Sequence, residues 1–160
     1  MNTESNGDHS GGVPSRAAIA GHPIHPMLIP FPIAFFVGAL VTDLVFLLTG
    51  DPFWARTSLW LIVGGLAGGL IAAIFGLTDF LTIPRVREHN IGWVHALGNG
   101  TVLLLSLVNL LLRLANPQAG ILPWGLLLSF IVTGILVVTG WFGGELAYRH
   151  MIGVIGHKGH

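Results

Sequence analysis

Cysteine is missing from all 160 residues. Its absence excludes disulfides, thiolate-ligated iron–sulfur clusters, covalently attached haem and any thiol nucleophile, and it leaves the redox compartment open. Charge is scarce as well. Only 9% of the residues are Asp, Glu, Lys or Arg, against about a quarter in soluble domains. Seven basic and seven acidic residues cancel, which excludes a nucleic-acid binder working through a basic surface. No glycine-rich phosphate loop, zinc-protease helix motif or nucleophile elbow occurs in the chain. Apolar residues fill it instead: 52% are hydrophobic and the mean hydropathy is +0.78, the composition of a protein whose solvent is a bilayer. The polar side chain in surplus is histidine, with eight copies.

Residues 1–20 (MNTESNGDHSGGVPSRAAIA) are polar, rich in Gly and Ser and without periodicity. They are expected to form a flexible tail, with a second short tail over residues 157–160. The N-terminal stretch lacks the apolar run of a cleavable signal peptide, so the first hydrophobic segment is expected to be retained. A helix needs about 20 apolar residues to cross a hydrocarbon core about 30 Å thick. Four segments qualify, at about 27–49, 57–83, 92–115 and 121–148. They show none of the two-residue alternation of a membrane barrel, so helices are the economical way to satisfy their backbones in lipid. The expected fold is therefore all-α, an integral membrane four-helix bundle over residues 21–156. Turn chemistry marks the breaks: Gly50-Asp51-Pro52, Pro84 to Asn90, and Asn116-Pro117 with Gly120.

Arg16, Arg85, Arg87, Arg149 and Lys158 fall on the side of the termini and the second loop, and Arg56 and Arg113 on the other. This bias predicts cytoplasmic termini. Within the second segment Gly64, Gly65, Gly68 and Gly69 form overlapping small-residue pairs, and Gly140 and Gly144 repeat the spacing in the fourth. Such rows let helices approach closely, inside the bundle or between copies of a homo-oligomer.

Every histidine falls on the side of the termini. His9, His157 and His160 are in the terminal segments, and His89 flanks the start of the third span. Four others have more deliberate settings. His22 and His25 sit three residues apart in His22-Pro23-Ile24-His25-Pro26, His95 is one turn into the third span, and His150 ends the fourth. His95 and His150 should share a depth, with Asp79 and Glu145 at the same level. Imidazole is the commonest biological ligand for several transition metals, and two inward-facing imidazoles can supply both axial positions of haem b. For haem, His95 and His150 are the expected pair. Trp93, Trp141, Phe142 and Tyr148 would be apolar walls, and Arg85, Arg87 or Arg149 would meet the propionates. For a bare transition metal ion, His22, His25, His95 and His150 with Asp79 or Glu145 would form a mixed nitrogen and oxygen shell. Histidines that merely cap helix ends, or that relay protons, are the competing readings.

A charged side chain at mid-membrane costs about 2.5–3.5 kcal/mol, so each needs a partner or a purpose. Asp43 lies about two-thirds along the first span, where Arg113, Arg56 or Asn109 could meet it; for Asp79 the candidates are Arg85, Thr78 and Asn99. Alternatively, the two carboxylates are stations of a small proton or ion transport protein, which with four helices would need to oligomerise.

Gly21-His22-Pro23-Ile24-His25-Pro26, Pro30-Phe31-Pro32, Gly76-Leu77-Thr78-Asp79, Gly92-Trp93-Val94-His95-Ala96 with Asn99, and the run from Gly143 to His150 followed by Gly153-Val154 together resemble the bacterial DUF2231 membrane proteins, over roughly residues 20–156. The resemblance implies a four-helix domain of the bacterial inner membrane. It also implies an occasional association with Rieske-type iron–sulfur domains, which favours electron transfer as the role of a histidine-bound haem b or metal. A membrane module without a cofactor is the remaining expectation, and the lipid bilayer is the partner common to all three.

Overall fold

A computed structural model describes residues 12–154. Expectations for residues 1–11 and 155–160, including His9, His157, Lys158 and His160, lie outside the described residues. A short hairpin, β1 (Ala18–Ile19) and β2 (His22–Pro23), leads into helices α1 (Ile24–Leu28), α2 (Pro30–Thr49), α3 (Pro52–Thr82), α4 (Pro84–Glu88), α5 (Asn90–Arg113) and α6 (Leu126–Tyr148), the last preceded by a wide turn over Ile121–Gly125. Four stretches are long and apolar enough to cross a bilayer: Ile24–Thr49, Pro52–Thr82, Asn90–Arg113 and Ile121–Tyr148. The all-α membrane bundle read from the sequence is the observed architecture, with span limits within a few residues except at the start of α3, which begins at Pro52 instead of near residue 57.

Helix boundaries follow local chemistry. Proline opens α2, α3 and α4, where a missing N–H costs nothing. Asp51 caps α3 by accepting from the Phe53 amide at 2.9 Å. Gly50 ends α2 in the left-handed region, at φ 68°, while its N–H closes the last turn onto the Phe46 carbonyl. α3 is 31 residues long, about 46 Å at 1.5 Å per residue, so it must tilt or extend past the hydrocarbon.

α2 packs along α3 and α5 along α6, and contacts of α3 with α5 and of α2 with α6 close the bundle. Phe36, Val102, Val132 and Leu136 form its mid-height core, flanked by Ile33, Leu66, Leu105 and Ile135. The glycine row of α3 serves this packing. A Cβ on Gly65 would come 2.6 Å from the Phe36 ring, and one on Gly69 would come 2.7 Å from Leu103. Gly140 on α6 faces open space instead.

Residues 12–20, expected as part of a flexible tail, make specific contacts. Val13 exchanges backbone hydrogen bonds with Met151 and Gly153 at 2.9 and 2.8 Å. With Ile152 it packs on Phe80, Ile83 and Val86. The bundle thus has a terminal end, where residues 12–23, residues 149–154 and α4 meet, and a loop end containing Gly50, Asp51 and residues 114–120.

Candidate functional site

At the loop end, the carboxylate of Asp43 on α2 receives a bidentate pair from Arg113 at the end of α5, and both side chains are fully buried. The other donor positions of the guanidinium go to Asn109 at 2.8 Å, Ser58 at 2.9 Å and Ser129 at 3.3 Å. Ser129 also donates to Asp43 at 2.8 Å, and Asn109 donates to Ser129 at 3.0 Å. All five guanidinium N–H groups have acceptors, drawn from all four spans, so the charge is neutralised and its hydrogen bonding is complete. Of the partners considered for Asp43, the structure selects Arg113. Ser58 and Ser129 were missed, although both are small polar residues at matching depth.

Asp79 is also occupied. Its oxygens accept from the Ser15 hydroxyl at 2.6 Å and from the Arg16 and Ala17 amides at 2.8 and 3.1 Å. None of Arg85, Thr78 or Asn99 is its partner: Thr78 bonds back to the Ile74 carbonyl and Asn99 bonds to His95. The donors come from residues 12–20, which the sequence reading set aside as tail.

The histidines separate into three settings instead of one cluster. His22 is exposed and its Nδ1 lies 3.0 Å from the nearby Ala20 carbonyl. His25 and His95 face each other edge-on, with ring centroids 6.2 Å apart and planes at 85°. His150 pairs with His89, centroids 4.2 Å apart and planes tilted by 36°. Shared depth did not make His95 and His150 partners, because depth along a helix says nothing about the face on which a side chain emerges. Among the described residues no group of three or more His, Asp or Glu is placed to hold a metal.

His25 and His95 are each held in the same way. His25 Nδ1 lies 2.7 Å from the Ala72 carbonyl of α3, and His95 Nδ1 lies 2.9 Å from the Thr139 carbonyl of α6. A carbonyl only accepts, so in the neutral ring Nδ1 carries the proton and Nε2 the lone pair. The Asn99 amide, 3.3 Å from His95 Nε2, matches that tautomer as a donor. Glycines give the rings their room: a Cβ on Gly76 would come 2.7 Å from His25, and one on Gly143 would come 2.9 Å from His95. The motif glycines beside Asp79 and Glu145 are therefore seats for imidazoles.

The remaining expected site residues have partners or settings of their own. Trp93 packs edge-on against Phe80 at 4.9 Å and donates to the Arg87 carbonyl at 3.2 Å. Tyr148 and Trp141 are exposed on the outside of α6, positions suited to the membrane interface more than to walls of an internal pocket. Glu145 pairs with exposed Arg149 at 2.9 Å.

A model of the family described as a predicted membrane protein, DUF2231, matches residues 21–156. The chain belongs to the DUF2231 family. The match takes in His22, His25, His89, His95 and His150, and it begins after Ser15 and Arg16, which latch onto Asp79. No curated protein matches this DUF2231 chain, and no solved structure does.

Proposed function

We propose that this DUF2231 protein is a redox carrier of the bacterial cytoplasmic membrane, in which His25 and His95 hold a transition metal ion or haem b at the terminal end and exchange electrons with a partner on that side. The observation that carries the reading is the shared anchoring of the two rings. Each commits Nδ1–H to a backbone carbonyl of a neighbouring helix and leaves Nε2 as the lone-pair nitrogen, the preparation typical of metal-ligating imidazoles. Two such nitrogens on rings 6.2 Å apart would reach one ion with bonds of about 2.0–2.1 Å from nearly opposite sides.

Of the two candidates the ion fits better. Two imidazoles are a sufficient axial set for haem, but a porphyrin also needs a flat cleft around them, and the half-buried rings here are packed onto the backbones of α3 and α6 at Gly76 and Gly143. A bound ion would supply one-electron chemistry. His25 and His95 would bind it, Ala72 and Thr139 would orient the rings, and Asn99 would have to release Nε2 of His95. In this reading Trp93, Tyr148 and Arg149 are not ligand contacts, and neither are Asp79 and Glu145, whose carboxylates have other partners. Transport through Asp43 and Asp79 loses support for the same reason, since all four carboxylate oxygens already accept hydrogen bonds.

Elemental analysis and an absorbance spectrum of the purified protein test the reading. A reducible chromophore or a stoichiometric copper or iron content, lost in His25→Ala and in His95→Ala, is expected. A colourless protein that contains neither metal and binds none when titrated with copper, iron or haem at these residues overturns it and leaves a membrane module without a cofactor.

A further inference from the structure

We propose that His89 and His150 form a second metal site, a pair of imidazoles at the water-facing terminal end that binds a divalent first-row ion of the zinc, nickel and copper class. His89 sits in extended backbone (φ −103°, ψ 131°) at the junction of α4 and α5. His150 follows α6, its amide bonded to the Glu145 carbonyl at 3.2 Å. Two separate elements thus bring the rings to a 4.2 Å centroid separation.

Three features distinguish this pair from the other histidines. Both residues lie outside the four membrane-crossing stretches and are half-buried, so an ion can reach them from water. Among the described residues neither ring makes a hydrogen bond, whereas His22, His25 and His95 each place Nδ1 on a carbonyl. Each ring therefore keeps a lone-pair nitrogen for a ligand. The geometry also suits chelation. Two nitrogens bound to one ion at about 2.0–2.1 Å, with a right angle between the bonds, lie about 3 Å apart, and rings with centroids 4.2 Å apart and planes tilted by 36° are close enough for one nitrogen of each to take up that spacing. The neighbouring cation, Arg149, is drawn to Glu145 at 2.9 Å. With water completing the shell, nitrogen-rich sites of this kind favour zinc, nickel and copper over magnesium or calcium. A bound ion would staple the α4–α5 junction to the segment after α6, and this assignment stands whether or not His25 and His95 carry a centre.

The test uses the full chain in lipid nanodiscs, with a tag free of histidine and with His9, His157 and His160 replaced by alanine. Titration with Zn²⁺ or Ni²⁺ should show an ion whose affinity falls in His89→Ala and in His150→Ala by more than the about 10–100-fold cost of disturbing an outer-shell partner, and that His25→Ala and His95→Ala leave in place. The ion should also raise the unfolding temperature of the parent and not of the two variants. Histidine modification by diethylpyrocarbonate, read by mass spectrometry on the parent chain, does not depend on the variants folding: Zn²⁺ should protect His89 and His150 together. Unchanged affinity in both variants, or no protection at either residue, overturns the proposal.

Discussion

The two ends of the bundle treat polar side chains in opposite ways. At the loop end, Asp43, Arg113, Asn109, Ser58 and Ser129 are buried and saturate one another, leaving no guanidinium donor unused. At the terminal end, four imidazoles, from α1, the α4–α5 junction, α5 and the segment after α6, are partly exposed and grouped in twos, and in the neutral form each pair offers lone-pair nitrogens. A closed network has nothing left to offer a ligand, while a half-committed one does. Charge alone is therefore a poor guide to function in this protein: its most conspicuous intramembrane carboxylate holds helices together, and its imidazoles retain the capacity to bind.

The largest effect that would test this contrast is at Arg113. Replacing it by Met strands the Asp43 carboxylate among apolar groups, and unfolding in detergent should show a loss of about 3–5 kcal/mol. Combining Arg113→Met with Asp43→Leu should recover most of that loss. If the single variant costs little, the loop end is not the closed network described. Smaller effects are expected where imidazoles rest on glycine. Gly76→Ala and Gly143→Ala should each cost about 1–3 kcal/mol through overpacking. Nitrogen NMR of the imidazoles should show His25 or His95, respectively, losing its fixed Nδ1–H tautomer; an undisturbed tautomer would mean that the glycine is not the seat of the ring. Asp79→Ala should cost about 1–3 kcal/mol, the range for a lost hydrogen bond to a charged group, and should speed amide exchange at Arg16 and Ala17 specifically. Smallest of all, Arg149→Ala removes an exposed ion pair and should change stability by about 0.5 kcal/mol or less; a larger loss would move Glu145 and Arg149 into the functional part of the terminal end.

The four spans were legible because a bilayer imposes its thickness on composition, and 20 apolar residues leave few alternatives to a helix. Polar partners were legible only in part. Asp43 demanded a cation at its own depth, and Arg113 was among those available, but the hydroxyls of Ser58 and Ser129 carry no charge to announce them. The histidine pairs were harder still. His95 and His150 were expected to face one another, yet each stands beside another ring, His25 and His89 respectively, and the clue to the seats of His25 and His95 lay in Gly76 and Gly143, whose lack of a side chain is where those rings fit. The segment over residues 12–20 was read as tail because it has no apolar run to bury. Its order comes from the Asp79 carboxylate, 63 residues away from Arg16, and from the backbone bonds of Val13 to Met151 and Gly153, long-range contacts that periodicity does not register.

The backbone bonds between Val13 and residues 151 and 153 also impose a sequence in time. Chains are made from the N-terminus, so Val13 leaves the ribosome before the four spans and finds its partners only after the fourth has been synthesised. The first described residues are thus docked late, and the terminal end is sealed only once residues 151–153 have been made.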